Sequence, residues 1–202
     1  MAKQLFTIGY SGYKDVEDFI SELKDHEIQI LIDVRSSPYS AYYECYNKEP
    51  LSRKLKENGI FYKNFARQFG ARQDQPAFYR NGRLDFELFA TSEQFLEGVQ
   101  AVEQSTANIV FMCAEKEPAT CHRTILVARA FHDRGHEVLH IKPGGIMLTQ
   151  ADIEQELLDE YFPDRAQASL FEPSEKSEEE YITDAYRRRN DDIGFRLEDL
   201  TA

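Results

Sequence analysis

Apolar residues along this chain fall into two periodicities. Leu5-Phe-Thr-Ile8 and Ile28-Gln-Ile-Leu-Ile-Asp-Val34 are short β-rich runs, while Val16, Phe19, Ile20 and Leu23 between them recur at helical spacing. The opening predicts strand, helix, strand, with a second strand apolar enough for burial on both faces. Phe95, Leu96, Val99 and Val102 define a further helix behind Thr91-Ser-Glu-Gln94, which has the form of a capping box. Then come a strand over Asn108–Cys113, an amphipathic run to Gly135, a strand over Glu137–Ile141 and a helix over Thr149–Glu160. Strands alternating with helices predict an α/β domain with a mainly parallel sheet covered on both faces.

Between the second strand and the next helix lies an insert, about residues 36–84, with one short helix marked by Pro50 near its start and Gly59 at its end. Its charge balance is positive over Lys48–Leu84, and Phe61, Tyr62, Phe65, Phe69, Phe78 and Tyr79 are interleaved with the cations. Cations for phosphates and rings for stacking bases are what a nucleic-acid groove requires; the alternative is a solvated basic face whose aromatics pack inward. The chain as a whole carries a net charge of −12, and most of that excess falls beyond residue 150. A single α/β domain over residues 1–162 is therefore expected, followed over 163–202 by an acidic, mobile tail in which Arg187-Arg188-Arg189 is a solvated patch. No run is long enough to cross a bilayer and no export signal is read, so a cytoplasmic protein without a membrane partner is expected. Its three cysteines are then reduced thiols.

The candidate chemistry gathers at the ends of strands. In an open parallel sheet the ligand crevice lies at the carboxyl edge, where successive βα loops open together. Gly9-Tyr10-Ser11-Gly12 follows the first strand, Asp33-Val34-Arg35-Ser36-Ser37 the second, and Cys113-Ala114-Glu115 a third. Gly9, Tyr10, Ser11 and Ser36 are expected to line the crevice, with Arg35 and Arg123 as bidentate clamps on an anionic substrate. Asp33 and Glu115 offer general acid/base groups, and Cys121 or His122 a nucleophile or proton shuttle. Thr120 as N-cap would put Cys121, His122 and Arg123 in a first helical turn, where the helix dipole favours a thiolate. The duller readings are a pairing of Asp33 with Arg35, a capping role for Ser11 and a core thiol at Cys113. No metal site is expected from Cys113, Cys121 and His122, whose spacing lacks a Cys-x2-Cys pair, and no cofactor is implied. A phosphatase-type loop also fails, since neither Cys113 nor Cys121 has an arginine six positions on.

Thr7-Ile-Gly-Tyr-Ser11, Leu31-Ile-Asp-Val-Arg-Ser-Ser-Pro38 and Met112-Cys-Ala-Glu-Lys-Glu-Pro-Ala-Thr-Cys-His-Arg123 together resemble the signatures of the domain of unknown function 488 family. The resemblance covers about residues 5–143 and implies a Rossmann-like, three-layer α/β domain; it supplies no reaction. Leu31–Arg35 is also similar to the second-strand motif of rhodanese-like domains, which transfer sulfur through a cysteine. Beyond the domain, Gln167-Ala-Ser-Leu-Phe171 resembles the peptide by which bacterial DNA polymerases and repair enzymes bind the sliding clamp, with Gln167, Leu170 and Phe171 as its anchors. The leading expectation is an enzyme of DNA metabolism, a hydrolase or transferase acting on a nucleotide or nucleic acid and localised by the clamp. A thiol-dependent sulfurtransferase or phosphatase-like hydrolase using Cys121, and a non-catalytic nucleotide-sensing adaptor, are the alternatives.

Overall fold

A computed structural model of the chain describes residues 2–165 and 176–200. Six strands form one sheet: β1 (Gln4–Gly9), β2 (Ile30–Asp33), β3 (Phe61–Asn64), and, after a two-residue hairpin of β4 (Tyr79–Arg80) and β5 (Arg83–Leu84) that stands apart, β6 (Ile109–Cys113), β7 (Glu137–Lys142) and β8 (Ile146–Thr149). The order is β3-β2-β6-β1-β7-β8, parallel throughout except for β8, which returns antiparallel on β7. The chain leaves β1 toward β2 on one side and leaves β6 toward β7 on the other. The switch point of the topology therefore lies between β6 and β1, and there Gly9 is in register with Cys113.

Alternation along β6 sorts the core into two layers. Ile109, Phe111 and Cys113 face a cluster containing Phe69, Phe95, Val99, Ile125, Phe131, Leu157 and Tyr186, whereas Val110 and Met112 face Phe19, Ile20, Leu23, Leu51 and Leu55. The second layer comprises α1 (Val16–Asp25), capped by the Asp15 carboxylate, and α2 (Lys48–Glu57). On the first lie α3 (Ala66–Phe69), α4 (Phe86–Ala90), α5 (Glu93–Gln104), a π-helical stretch Arg123–Ala128 running into α6 (Arg129–His132), α7 (Gln150–Tyr161) and α8 (Glu178–Ile193). The result is a Rossmann-like three-layer α/β fold. Among the described residues no helix is long and apolar enough to cross a membrane.

Three expectations are corrected. The insert is not wholly irregular, because Phe61–Asn64 pairs with β2 and becomes the edge strand of the main sheet. Of the two readings of its rings, inward packing holds for Phe69, which is fully buried, and Tyr79 donates to the Gln73 carbonyl at 2.8 Å, although Phe61 is 72% exposed. Phe69 packs inward, while Lys48, Arg53, Lys56, Lys63, Arg67, Arg72 and Arg80 stay exposed. Over residues 176–200 the tail is ordered, since α8 packs on α7 and buries Ala185, Tyr186 and Arg189. Its Ser177–Glu180 capping box fixes the start, and Arg189 pairs with Glu160 while Arg187 pairs with Glu87, so the arginine run is a set of interhelical contacts. Gln167, Leu170 and Phe171 lie outside the described residues.

Candidate functional site

At the switch point, two βα turns touch. A Cβ on Gly9 would stand 1.8 Å from the Glu115 carbonyl oxygen, so glycine here serves the close approach of two turns rather than that of a phosphate. The Ser11 amide donates to the Ala114 carbonyl at 3.0 Å, and Tyr10 stacks on Tyr46 with ring centroids 4.4 Å apart. Gly9, Tyr10 and Ser11 are in this way spent on joining the turns.

Asp33, Arg35 and Arg123 likewise spend most of their polar atoms within the protein. Asp33, with no exposed surface, accepts from the Arg35 backbone amide at 3.0 Å, from Arg35 Nη2 at 2.6 Å and from the Tyr62 hydroxyl at 2.7 Å. Arg35 also donates to the Tyr46 carbonyl at 2.8 Å. Burial opposes its charge, and the adjoining Asp33 carboxylate outweighs that and holds the guanidinium more firmly protonated. Arg123 is fully buried and donates to the Glu115 carbonyl at 2.6 Å and the Lys116 carbonyl at 3.2 Å. In this geometry the Asp33 carboxylate is hydrogen-bonded rather than free, and Arg35 and Arg123 direct most of their donors to Asp33 and to backbone carbonyls, while Arg35 Nη1 and Arg123 Nε have no partner among the described residues. These residues hold the loops.

What remains is a compact cluster of Cys113, Glu115, Cys121 and His122. The Cys121 thiol donates to Glu115 Oε2 at 2.9 Å, and His122 Nδ1 lies 3.9 Å from both sulfurs. His122 Nε2 is 3.0 Å from the Val34 carbonyl oxygen, which ties the cluster to the end of β2. Thr120 does not cap the helix: its hydroxyl bonds to the Glu117 carbonyl, while the Cys121 carbonyl accepts from Thr124 and Ile125. Cys121 is the hinge between a 3-10 turn (Pro118–Thr120) and the π-helical stretch, and π geometry recurs at functional sites. It is only 1% exposed, which leaves a nucleophilic thiol no path to substrate. Glu115 is the exposed member, its carboxylate turned inward to the thiol.

The cluster's electrostatics separate its members. Burial raises Glu115 above the usual carboxylate range, reinforced by Cys121. Burial also works to raise Cys121, but the Cys113 hydrogen bond and the charges of Arg123 and His122 prevail and hold its thiol well below the ordinary value. Cys113 moves the opposite way, raised by its bond to Cys121 and by burial. For His122, burial favours the neutral ring, and contact with Cys121 more than compensates, so its pKa is raised. Environments that push neighbouring groups apart mark candidate acid and base roles.

Near this edge lies a cleft of about 950 Å³ bordered by Ser36, Ser37, Arg67, Arg72, Phe78 and Phe195, with Asp74, Glu93 and Asp199 sharing its wall. Ser36 Oγ accepts from the Arg72 amide at 2.8 Å, and the Arg72 guanidinium sits 4.7 Å over the Phe195 ring. Ser36, expected to line the crevice, borders this cleft; Arg72 and Phe195 were not read from the sequence as its neighbours, because only their spatial meeting brings residues this far apart in sequence to one wall.

Fold and site together define a Rossmann-like α/β protein with a thiol, imidazole and carboxylate cluster at its topological switch point. Among protein families, the one described as Domain of unknown function DUF488 matches over residues 15–130. The chain belongs to this DUF488 family. No curated protein and no solved structure matches it.

Proposed function

We propose that the chain is an enzyme, a hydrolase or transferase acting on a nucleoside or nucleotide, in which Glu115 moves the proton of the central step. The observation that carries this reading is the Glu115–Cys121 contact of 2.9 Å: an exposed residue reaches inward to a buried polar cluster at the switch point. Its raised pKa suits general acid/base work nearer to neutral pH. The substrate class is supported by the neighbouring cleft, where cations and rings meet carboxylates. Such a mixed wall suits a base and sugar with little charge better than the polyanionic backbone of a duplex. The buried Cys121 disfavours the sulfurtransferase and phosphatase-like readings. Docking on a sliding clamp, which would place the enzyme in DNA metabolism, is supported by the Gln167–Phe171 motif alone.

The full chain, incubated with panels of nucleosides, nucleotides and phosphate esters and followed by mass spectrometry, is expected to turn over a member of the first two. Glu115→Gln should lower kcat about 100-fold or more with the melting temperature kept, and should remove the acidic limb of the pH–rate profile. That limb rises with pH, because a carboxylate acting as base must first lose its proton, and lies above the ordinary carboxylate pKa. Undiminished turnover in Glu115→Gln overturns the assignment. Ligand binding without turnover would instead favour the nucleotide-sensing adaptor.

A further inference from the structure

We infer that Cys113, Cys121 and His122 form a zinc site, with Glu115 beside its open position. Their donor atoms, two Sγ and Nδ1, lie within 4.8 Å of one another, and all three residues are buried. Tetrahedral zinc, with bonds of about 2.3 Å to sulfur and about 2.0 Å to nitrogen, sets sulfur and nitrogen about 3.5 Å apart. Both observed S···N separations are 3.9 Å, so each sulfur needs to close on the nitrogen by only a few tenths of an ångström.

The orientation of the His122 ring is an independent observation. Its Nε2 faces the Val34 carbonyl oxygen at 3.0 Å, and a carbonyl only accepts; in the neutral ring Nε2 therefore carries the proton, and Nδ1 presents its lone pair to the two sulfurs. A ligating histidine is oriented in this way, by a carbonyl on its second nitrogen. Two thiolates and an imidazole form a soft-to-borderline donor set that favours zinc over magnesium or calcium.

The chemistry balances without a redox partner. Binding of Zn²⁺ displaces one proton from each cysteine to solvent, and two thiolates neutralise the ion's two charges. Three protein ligands leave a fourth position for water, the arrangement of a catalytic rather than a closed structural site. A proton passing from that water to the Glu115 carboxylate would leave hydroxide on the metal and a neutral carboxyl group. This last step rests on the role proposed for Glu115; the zinc site does not. The sequence spacing argued against a metal because it lacks a Cys-x2-Cys pair; the end of β6 and the turn after Pro118 supply the proximity instead.

The test uses the full chain purified under reducing conditions, stripped of metal and titrated with Co²⁺ alone. One equivalent should produce thiolate-to-cobalt charge transfer and the visible bands of tetrahedral cobalt, and Zn²⁺ should abolish both. Cys121→Ser and Cys113→Ser should each lose charge-transfer intensity while Cys45→Ser keeps it, with circular dichroism confirming the fold. Absence of the bands in the unmodified protein, with all three thiols reduced, overturns the site, as does an undiminished spectrum in folded Cys121→Ser. Absent bands together with Glu115-dependent turnover would sink the zinc site and spare the enzyme reading. Normal bands with full activity in Glu115→Gln would do the reverse.

Discussion

Thr7, His140, Gln150, Tyr186 and Glu154 form a buried hydrogen-bonded chain that links the central strand to the two C-terminal helices. His140 Nδ1 is 2.9 Å from Thr7 Oγ1 and its Nε2 is 3.0 Å from Gln150 Oε1, while Tyr186 donates to Glu154 at 3.1 Å. A neutral ring satisfies both contacts, and burial lowers the His140 pKa to about 4. Because the folded ring resists a proton that the unfolded chain accepts near pH 6.5, this contribution to stability is present above about pH 6.5 and is lost as pH falls toward 4. Urea unfolding at pH 7.5 and 5 should therefore show a loss of about 2 kcal/mol from this residue, which His140→Gln removes by flattening the profile. An unchanged pH dependence in that variant would refute the assignment. Gly9 makes a second prediction at this scale: because a Cβ there would stand 1.8 Å from a carbonyl oxygen, Gly9→Ala should cost at least about 2 kcal/mol, read as a lower denaturation midpoint.

At the scale of elements, α8 is the feature least visible in the sequence. Its apolar positions, Ile182, Ala185, Tyr186 and Ile193, are thinly spread among glutamates and arginines, and much of its attachment is by long charged side chains. Arg129 lies 4.1 Å over the Tyr186 ring, and the Tyr186 hydroxyl also receives a hydrogen bond from Gln150 at 2.5 Å. One aromatic anchor thus does for this helix what an apolar stripe does for α5. Tyr186→Ala should cost about 3 kcal/mol and lower the melting temperature by roughly 6–12 °C. A change within about 1 °C would mean that α8 contributes nothing to the folded domain. The edge strand β3 was hidden for a related reason: Phe61-Tyr-Lys-Asn64 is short and half polar, and its pairing with β2 is decided by tertiary contact.

For the whole molecule, the α/β pattern was legible because β1, β2, β6 and β7 are apolar runs separated by helices with clear spacing and caps. Motif order also placed Asp33, Arg35, Glu115, Cys121, His122 and Arg123 at one edge. Their individual tasks were not legible, since charge type alone does not show whether an arginine will face a ligand or a backbone carbonyl; for Arg123 the carbonyls win. The sheet order has a further consequence, for how the chain acquires its shape. β1 and β2 flank β6 and make no ladder with each other, so about half the polypeptide must be synthesised before the sheet can close through its middle. At about 5–20 residues per second, a nascent chain spends several seconds on the ribosome with two apolar strands awaiting their shared neighbour, a long-range topology that slows folding and leaves hydrophobic edges for chaperones to cover.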